Sequence, residues 1–445
     1  MACSVSDTRT ALLFSLAYLK PLAQRQYFML VLILIGALVL SLAVSLILIP
    51  PVRGIAFRMG WMDHPDGHRK VHIKEIPRVG GLAIIVAMAV GLGVIALLRP
   101  VLPGGLAPAF EMPSALIILG ALLMAGVGFV DDVRDMHALP KLIAQTVISL
   151  LVVVAGFRIT VFDGVLGGGD VALGVSVVLT LIWVVGTVNG VNFIDGMDGL
   201  AGGVVAIALV GLGIAHAIGG DISGIVLVAV AVGAVLGFLH YNVRPASIFM
   251  GDVGSHFLGY VLAVFALGIT THGNPIVALT IAAVALGLPI LDAVVTLVRR
   301  PQYNKPLLHS DGDHFHHRLM VRFPNAKVVR ILYLVSVFFA TGAVLMALSS
   351  IQGALIILLL GVGAVFGFLY WLGYLPGRYA NGPADGYGST RSLHSMVVDG
   401  VRFPGGDGAM QPVDMTVANK SEVSPSSRVV GGHKKTLTSA ARPDQ

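Results

Sequence analysis

The chain has 445 residues, 56% of them hydrophobic and only 12% charged, with a mean hydropathy of +0.88. Soluble globular domains carry about twice that share of charge, so composition excludes a soluble enzyme and points to a polytopic membrane protein. Cys3 is the single cysteine, which rules out an internal disulfide, and the formal charge of +6 is accounted for by topology and not by a nucleic-acid partner.

Apolar runs are taken as helices, because an open sheet edge cannot be satisfied in lipid. The expected fold is all-α, an integral membrane bundle of about eleven spans: Tyr27–Ile49, Gly80–Leu98, Ala115–Val130, Leu142–Gly156, Ala172–Val188, Leu200–Ile218, Ile222–His240, Ser255–Ile269, Pro275–Val298, Val329–Leu348 and Gln352–Leu372. The third, fourth and eighth are short for a core of about 30 Å and are expected to extend into their flanks. Before them lies an N-terminal segment, 1–26, with no small-residue cleavage site after its apolar stretch. The transmembrane domain occupies 27–376. The remainder, 377–445, is rich in Gly, Ser, Pro and charge and reads as a disordered cytoplasmic tail.

The connections after spans 1, 3, 5, 7 and 9, together with the tail and Arg330 at the very start of span 10, hold 24 of the 29 Lys and Arg residues. Positive-inside bias therefore places these connections in the cytoplasm. Arg9, Lys20 and Arg25 precede span 1 and argue the other way, but the later loops outweigh them.

Every polar cluster of interest falls in those same connections. The first carries "DHPDGHRKVHIKEIPRVGG" from Asp63, the third "GFVDDVRD" with Asp131 and Asp132, and the fifth "NFIDGMDGLAGG" from Asn192. The seventh carries "YNVRPASIFMGDVGSHFLG" from Tyr241, and the ninth "HSDGDHFHHRL" from His309. Adjacent carboxylates suit a hard cation such as Mg²⁺. Neighbouring Lys, Arg and His suit phosphate. Glycine beside the acids lets a ligand approach the backbone. Phosphoryl transfer is the reaction class that uses all three.

Each cluster alone has a plainer reading. Asp131 and Asp132 could cap a helix, Asp195 and Asp198 could be turn residues, the histidines could be solvated, and Lys70 and Asp252 could serve topology and capping. Asp292 differs, since it lies inside span 9, where a lone carboxylate is costly and a functional or paired role is the default. The convergence of five clusters on one membrane face favours chemistry.

In combination these motifs, with "LPKLIAQ" following the Asp pair, resemble the polyprenyl-phosphate N-acetylhexosamine-1-phosphate transferases, over roughly Asp63 to His317. The resemblance implies transfer of a sugar 1-phosphate, GlcNAc-1-phosphate first, from a UDP-sugar to undecaprenyl or another polyprenyl phosphate, with release of UMP. It implies Asp252 as the Mg²⁺ ligand (Mn²⁺ substituting) and Asp131, beside Asp132, as base or anchor for the lipid phosphate. Asn192 and Asp195 would line the donor site, Asp198 would face the uracil edge, and Phe249 would stack on it. His314, His316 and His317 would contact the diphosphate, and Lys70 and Lys74 are the basic candidates of the first connection. The expected setting is a bacterial inner membrane with the site on its cytoplasmic face, membrane lipid and a UDP-sugar as partners, and a homodimer left open. Gly312 stands where the hexosamine branch commonly has Arg, a departure that bears on donor identity. The rival readings are the phospho-N-acetylmuramoyl-pentapeptide branch and, from another class, a transporter, which would place its polar residues near the bilayer midplane.

Overall fold

The computed structural model describes residues 5–63, 75–101, 113–269, 273–302 and 314–374, with side chains from Gln26 onward. All lie in one unit, Met1–Gly382. The expected tail, and Lys70 and Lys74, fall outside the described residues.

Thirteen α-helices are described: α1 (Val5–Met59), α2 (Gly81–Leu98), α3 (Ala115–Arg134), α4 (Ala138–Val154), α5 (Gly169–Ile194), α6 (Leu200–Ile218), α7 (Ile222–Asn242), α8 (Gly251–Leu267), α9 (Pro275–Ala285), α10 (Gly287–Gln302), α11 (Phe315–Met320), α12 (Asn325–Leu348) and α13 (Ile351–Leu372). Eight are long and apolar enough to cross a membrane, and a ninth span arises if α9 and α10 are counted as one. The remaining two expected spans correspond to α4 and α8, each a 17-residue apolar helix. The count of eleven is therefore not confirmed: eight helices are full-length, α9 and α10 form one bent pair, and α4 and α8 are short. Span 3 does extend, through Asp131 and Asp132 to Arg134.

Span 9 is not one helix. α9 and α10 meet at 84°. Pro289 has no N–H for the Ala285 carbonyl and its ring crowds that turn. Gly287 lies so close to the Phe339 ring that a Cβ there would collide with it. The break swings α10 away from the axis of α9.

Burial separates inner from outer helices. In α6 and α7, 67% and 72% of the spanning window is buried, against 6% in α13. α7 packs on α1, α2 and α6; α8 packs on α2, α3 and α5; α6 also packs on α12. Leu97, Val165, Ile182, Leu334 and Leu360 stay exposed, as expected of side chains whose solvent is lipid.

The first connection is closed by a short ribbon, β1 (Met62–Asp63) paired antiparallel with β2 (Ile76–Pro77). Its end is stitched to the loop before α8. Phe249 N donates to Pro77 O at 2.7 Å, and Gly80 N and Gly81 N donate to Phe249 O and Met250 O at 2.9 Å. Gly251 follows with φ +72°, in the left-handed region. A Cβ there would overlap the Arg78 carbonyl oxygen and lie 2.6 Å from Asp132 Oδ2.

Gly251→Ala should therefore lose stability by about 1–2 kcal/mol from the left-handed backbone alone, with the overlap adding to it. Gly126→Ala, at an open position within α3, should be neutral or gain up to about 1 kcal/mol. Thermal midpoints of the two variants in detergent micelles, compared with the parent, check the pair.

Candidate active site

The acidic half is built by three helix ends. Asp131 is at the end of α3, and its Oδ1 accepts from Met136 N at 2.6 Å. Lys141, in the first turns of α4, donates from Nζ to Asp131 Oδ2 at 2.6 Å and to Asp252 Oδ2 at 2.5 Å. Asp252 is in the first turn of α8, and its Oδ1 accepts from Asn192 Nδ2 at 2.7 Å. Asn192 Nδ2 also reaches Ser255 Oγ at 3.0 Å.

Asp132 sits beside this cluster but faces another way. Its oxygens accept from the backbone N–H groups of Asp252 (3.0 Å) and Val253 (2.9 Å). These are orphan donors at the start of α8, so Asp132 caps α8 and thereby places Asp252. Arg78 closes the rim, 3.2 Å from Asp135 and 3.7 Å from Asp63.

The second half is the histidine group. His314 Nδ1 donates to Asp292 Oδ2 at 2.8 Å, and Phe315 N donates to Asp292 Oδ1 at 2.9 Å. Asp292, expected to be paired, is 1% exposed and caps α11 while fixing the His314 ring. The His314 and His316 rings stack with centroids 5.9 Å apart, and His317 lies 4.0 Å from His316. Burial, reinforced by His317 and His314, holds His316 well below the usual imidazole range.

The turn that ends α5 joins the halves. Asn192 reaches Asp252. Phe193 packs on His314 at 5.0 Å, with the Arg300 guanidinium 5.9 Å from its ring centroid. A Cβ at Gly196 would lie 2.5 Å from His316 Nε2. Asp195 follows Ile194 between them, and burial first, then the Asp252 and Asp132 charges, push its carboxyl well above the usual range. Asp198 accepts from Ala246 N at 3.2 Å and so faces the loop that carries Phe249.

The structure thus brings together Asp131, Asp132, Asn192, Asp252, His314, His316 and His317, with Asp195 between the halves and Asp198 and Phe249 at one edge. Three contributors had no assigned chemistry in the sequence. Lys141 lies inside the "LPKLIAQ" motif, ten residues after Asp131. The other two are Arg299 and Arg300, 7% and 5% exposed, which had been counted only as topology charges. An arginine pair about two turns after Asp292 and one turn after Thr296 was the signal available.

Among the described residues no group of three or more His, Cys, Asp or Glu side chains surrounds a single metal point. Asp131 and Asp252 nevertheless share one cationic partner and offer hard oxygen atoms. Mg²⁺ is usually held by one or two carboxylates with substrate phosphate oxygens and water completing its shell. The donor set fits that pattern.

Comparison with known proteins agrees with this geometry. The glycosyl transferase family 4 profile matches residues 114–270. The chain is 33% identical over 327 residues, 73% of its length and 88% of the relative's, to a Bacillus subtilis (strain 168) protein named "Probable undecaprenyl-phosphate N-acetylglucosaminyl 1-phosphate transferase". It is 34% identical over 311 residues (64% of this chain, 75% of the relative) to a decaprenyl-phosphate N-acetylglucosaminephosphotransferase of Mycobacterium tuberculosis (strain ATCC 25618 / H37Rv). It is also 32% identical over 287 residues (60% and 82%) to a phospho-N-acetylmuramoyl-pentapeptide-transferase of Rubrobacter xylanophilus. The fold and site define a multi-pass membrane enzyme of the phosphosugar-transferring type. The chain belongs to the polyprenyl-phosphate N-acetylhexosamine-1-phosphate transferases of glycosyl transferase family 4.

Asp292→Ala should strand the buried Phe315 N–H, at about 1–3 kcal/mol of desolvation, and leave His314 Nδ1 only Thr296 Oγ1 at 3.4 Å. A lowered thermal midpoint together with earlier proteolysis near residues 314–320 is the expected result.

Proposed function

We propose that this protein transfers N-acetylglucosamine 1-phosphate from UDP-N-acetylglucosamine to undecaprenyl or another polyprenyl phosphate, releasing UMP, at the cytoplasmic face of a bacterial inner membrane. The observation that carries the reading is the Lys141 ammonium shared by Asp131 and Asp252 beside the histidine group, across one turn. It places cation, carboxylate and imidazole on either side of a glycine-bearing backbone. The names of the relatives supply the sugar and the lipid class.

In this reading an oxygen of the acceptor phosphate forms a bond to the sugar-bearing phosphorus of the donor. The bond from that phosphorus to the bridging oxygen breaks, and UMP leaves with that oxygen. A phosphate monoester has a second pKa near 6, so at neutral pH the acceptor is largely a dianion. Lys141 attracts and orients it, and Asp131 holds the lysine and takes any residual proton. His314, His316 and His317, with Arg300 behind Phe193, receive the donor's diphosphate. Asp198 and Phe249 face the uracil. Mg²⁺, held by Asp252 and Asp131, would neutralise charge developing on the transferring phosphoryl oxygens.

The assay is exchange of labelled UMP into a panel of UDP-sugars with undecaprenyl phosphate and Mg²⁺. Exchange into UDP-N-acetylglucosamine is expected, stopped by chelation and lost in Asp252→Asn. Exchange only into the UDP-muramoyl-pentapeptide would assign the cell-wall branch, and no lipid-dependent exchange with any donor would end the transferase reading. On a Cys3-free background, cysteines at Gly67, Gly199 and Gly312 should resist an impermeant thiol reagent in intact cells.

A second measurement isolates the cation site. Lys141→Ala should lose at least a hundredfold in exchange rate. Its thermal midpoint should rise more with Mg²⁺ than the parent's does, because no ammonium competes for the carboxylates. An equal or smaller Mg²⁺ shift would remove Asp131 and Asp252 as the pair that holds the metal.

A further inference from the structure

Helices α4, α5 and α8 meet in the charged layer of the site, and three sets of contacts fix their mutual register. Lys141 to Asp252 aligns α4 with α8. Asn192 to Asp252 and Ser255 aligns α5 with α8. Asn189 Nδ2 to Gln145 Oε1, at 2.7 Å, aligns α4 with α5. One helical turn away from the charged layer, each helix carries another polar residue on the same face. These are Gln145 four after Lys141, Asn189 three before Asn192, and His256 four after Asp252.

This second layer is dry and unusual for a helix bundle core. Gln145 and His256 are both 0% exposed. His256 Nδ1 lies 2.6 Å from the Asp252 carbonyl oxygen. A carbonyl only accepts, so Nδ1 carries the hydrogen, and in the neutral ring Nε2 presents a lone pair. Gln145 spends its Oε1 on Asn189 and keeps an amide N–H₂. Among the described residues neither Gln145 Nε2 nor His256 Nε2 has a hydrogen-bond partner. The orphans are complementary: a donor on α4 and an acceptor on α8. Buried polar atoms are rarely left unsatisfied, and a buried water characteristically takes about two to four such partners.

We infer that Gln145 and His256 hold one buried water beneath the charged cluster, and that this layer positions Lys141 and Asp252 for the transfer. Both are positioning residues, since neither touches the reacting groups. His256 acts on Asp252 through the backbone carbonyl it bonds, and Gln145 acts on Lys141 from one turn below. The inference rests on the transferase reading for its kinetic arm only.

Two sets of variants test it. The first needs no activity. Thermal midpoints are measured for Gln145→Leu, His256→Leu and the double variant in micelles. A shared water predicts that each single variant is destabilised and that the double variant loses less than the sum. Additive losses, or single variants more stable than the parent, overturn the water. The second uses the amide isosteres. Asn reproduces the Nδ1–H that donates to the Asp252 carbonyl, whereas Gln reaches only the Nε2 side. His256→Leu and His256→Gln should lose about 10–100-fold in kcat, the usual scale for groups that support a metal site, with KM changed less than twofold. His256→Asn should stay within about threefold of the parent on the same scale. Equal rates for all three, or a loss confined to KM, overturn the positioning role. A parent without exchange activity would instead count against the transferase reading and leave the thermal cycle to decide the water.

Discussion

The site depends on one ammonium group held between two carboxylates. Nζ of Lys141 lies 2.6 Å from Asp131 and 2.5 Å from Asp252, so the two carboxylate oxygens stand at most about 5 Å apart. At an effective dielectric of about 20 their repulsion would be about 3 kcal/mol without the lysine. That energy would otherwise pull α3 and α8 apart at the level of the site. Asp132 works on the same joint from the side, capping α8 with both oxygens, where a carboxylate also meets the positive end of the helix dipole. Charge pairing and capping together bring two short-range partners from distant parts of the chain to one point.

The turn after α5 makes that point into a site with two halves. It follows the last turn of a 26-residue helix and leads at once into α6, so residues 192–199 face several elements in succession. Asn192 meets Asp252, Phe193 meets His314, and Gly196 leaves room for His316. A glycine-bearing stretch with an amide between two oily helices is what this geometry requires: an amide that reaches Asp252, and no side chain where imidazole must approach. The break between α9 and α10 completes the arrangement. It turns α10 so that Asp292 meets His314 and not lipid, which resolves the cost of a carboxylate in an otherwise apolar segment.

Much of this was legible in the sequence because hydropathy and charge asymmetry are one-dimensional signals. Helix type, span positions and the set of acids follow from them, as do Asp131, Asp252 and the histidines. The bend at Pro275–Gln302 was not legible as a bend, since a continuous apolar run reads as one span whether or not Pro289 breaks it. α4 and α8 read as spans with uncertain ends because length alone does not say whether a helix crosses or stops inside a bundle. The role of Asp132 was hidden for another reason: adjacent to Asp131 in the chain, it points about a quarter-turn away, to the backbone of α8. Lys141 was overlooked because a lysine near a helix start also fits the topology rule, and only its two partners in space separate the readings.

The charges of the site divide between an acidic half and a histidine half. Asp131, Asp132, Asp195 and Asp252 gather in one region, where Lys141 pairs with two of them. Burial first, then the neighbouring carboxylates, push the Asp195 carboxyl well above the usual range. A divalent cation entering with a diphosphate would change that balance twice over, adding positive charge beside the acids and negative charge beside the histidines and Arg300. The α5 turn would lie between the two new charges. Under the proposed function, a metal–diphosphate pair would bring charge to both halves at once, whereas either component alone would serve only one. This supplies a physical reason why the acids and the imidazoles are kept apart on opposite sides of one glycine-bearing turn.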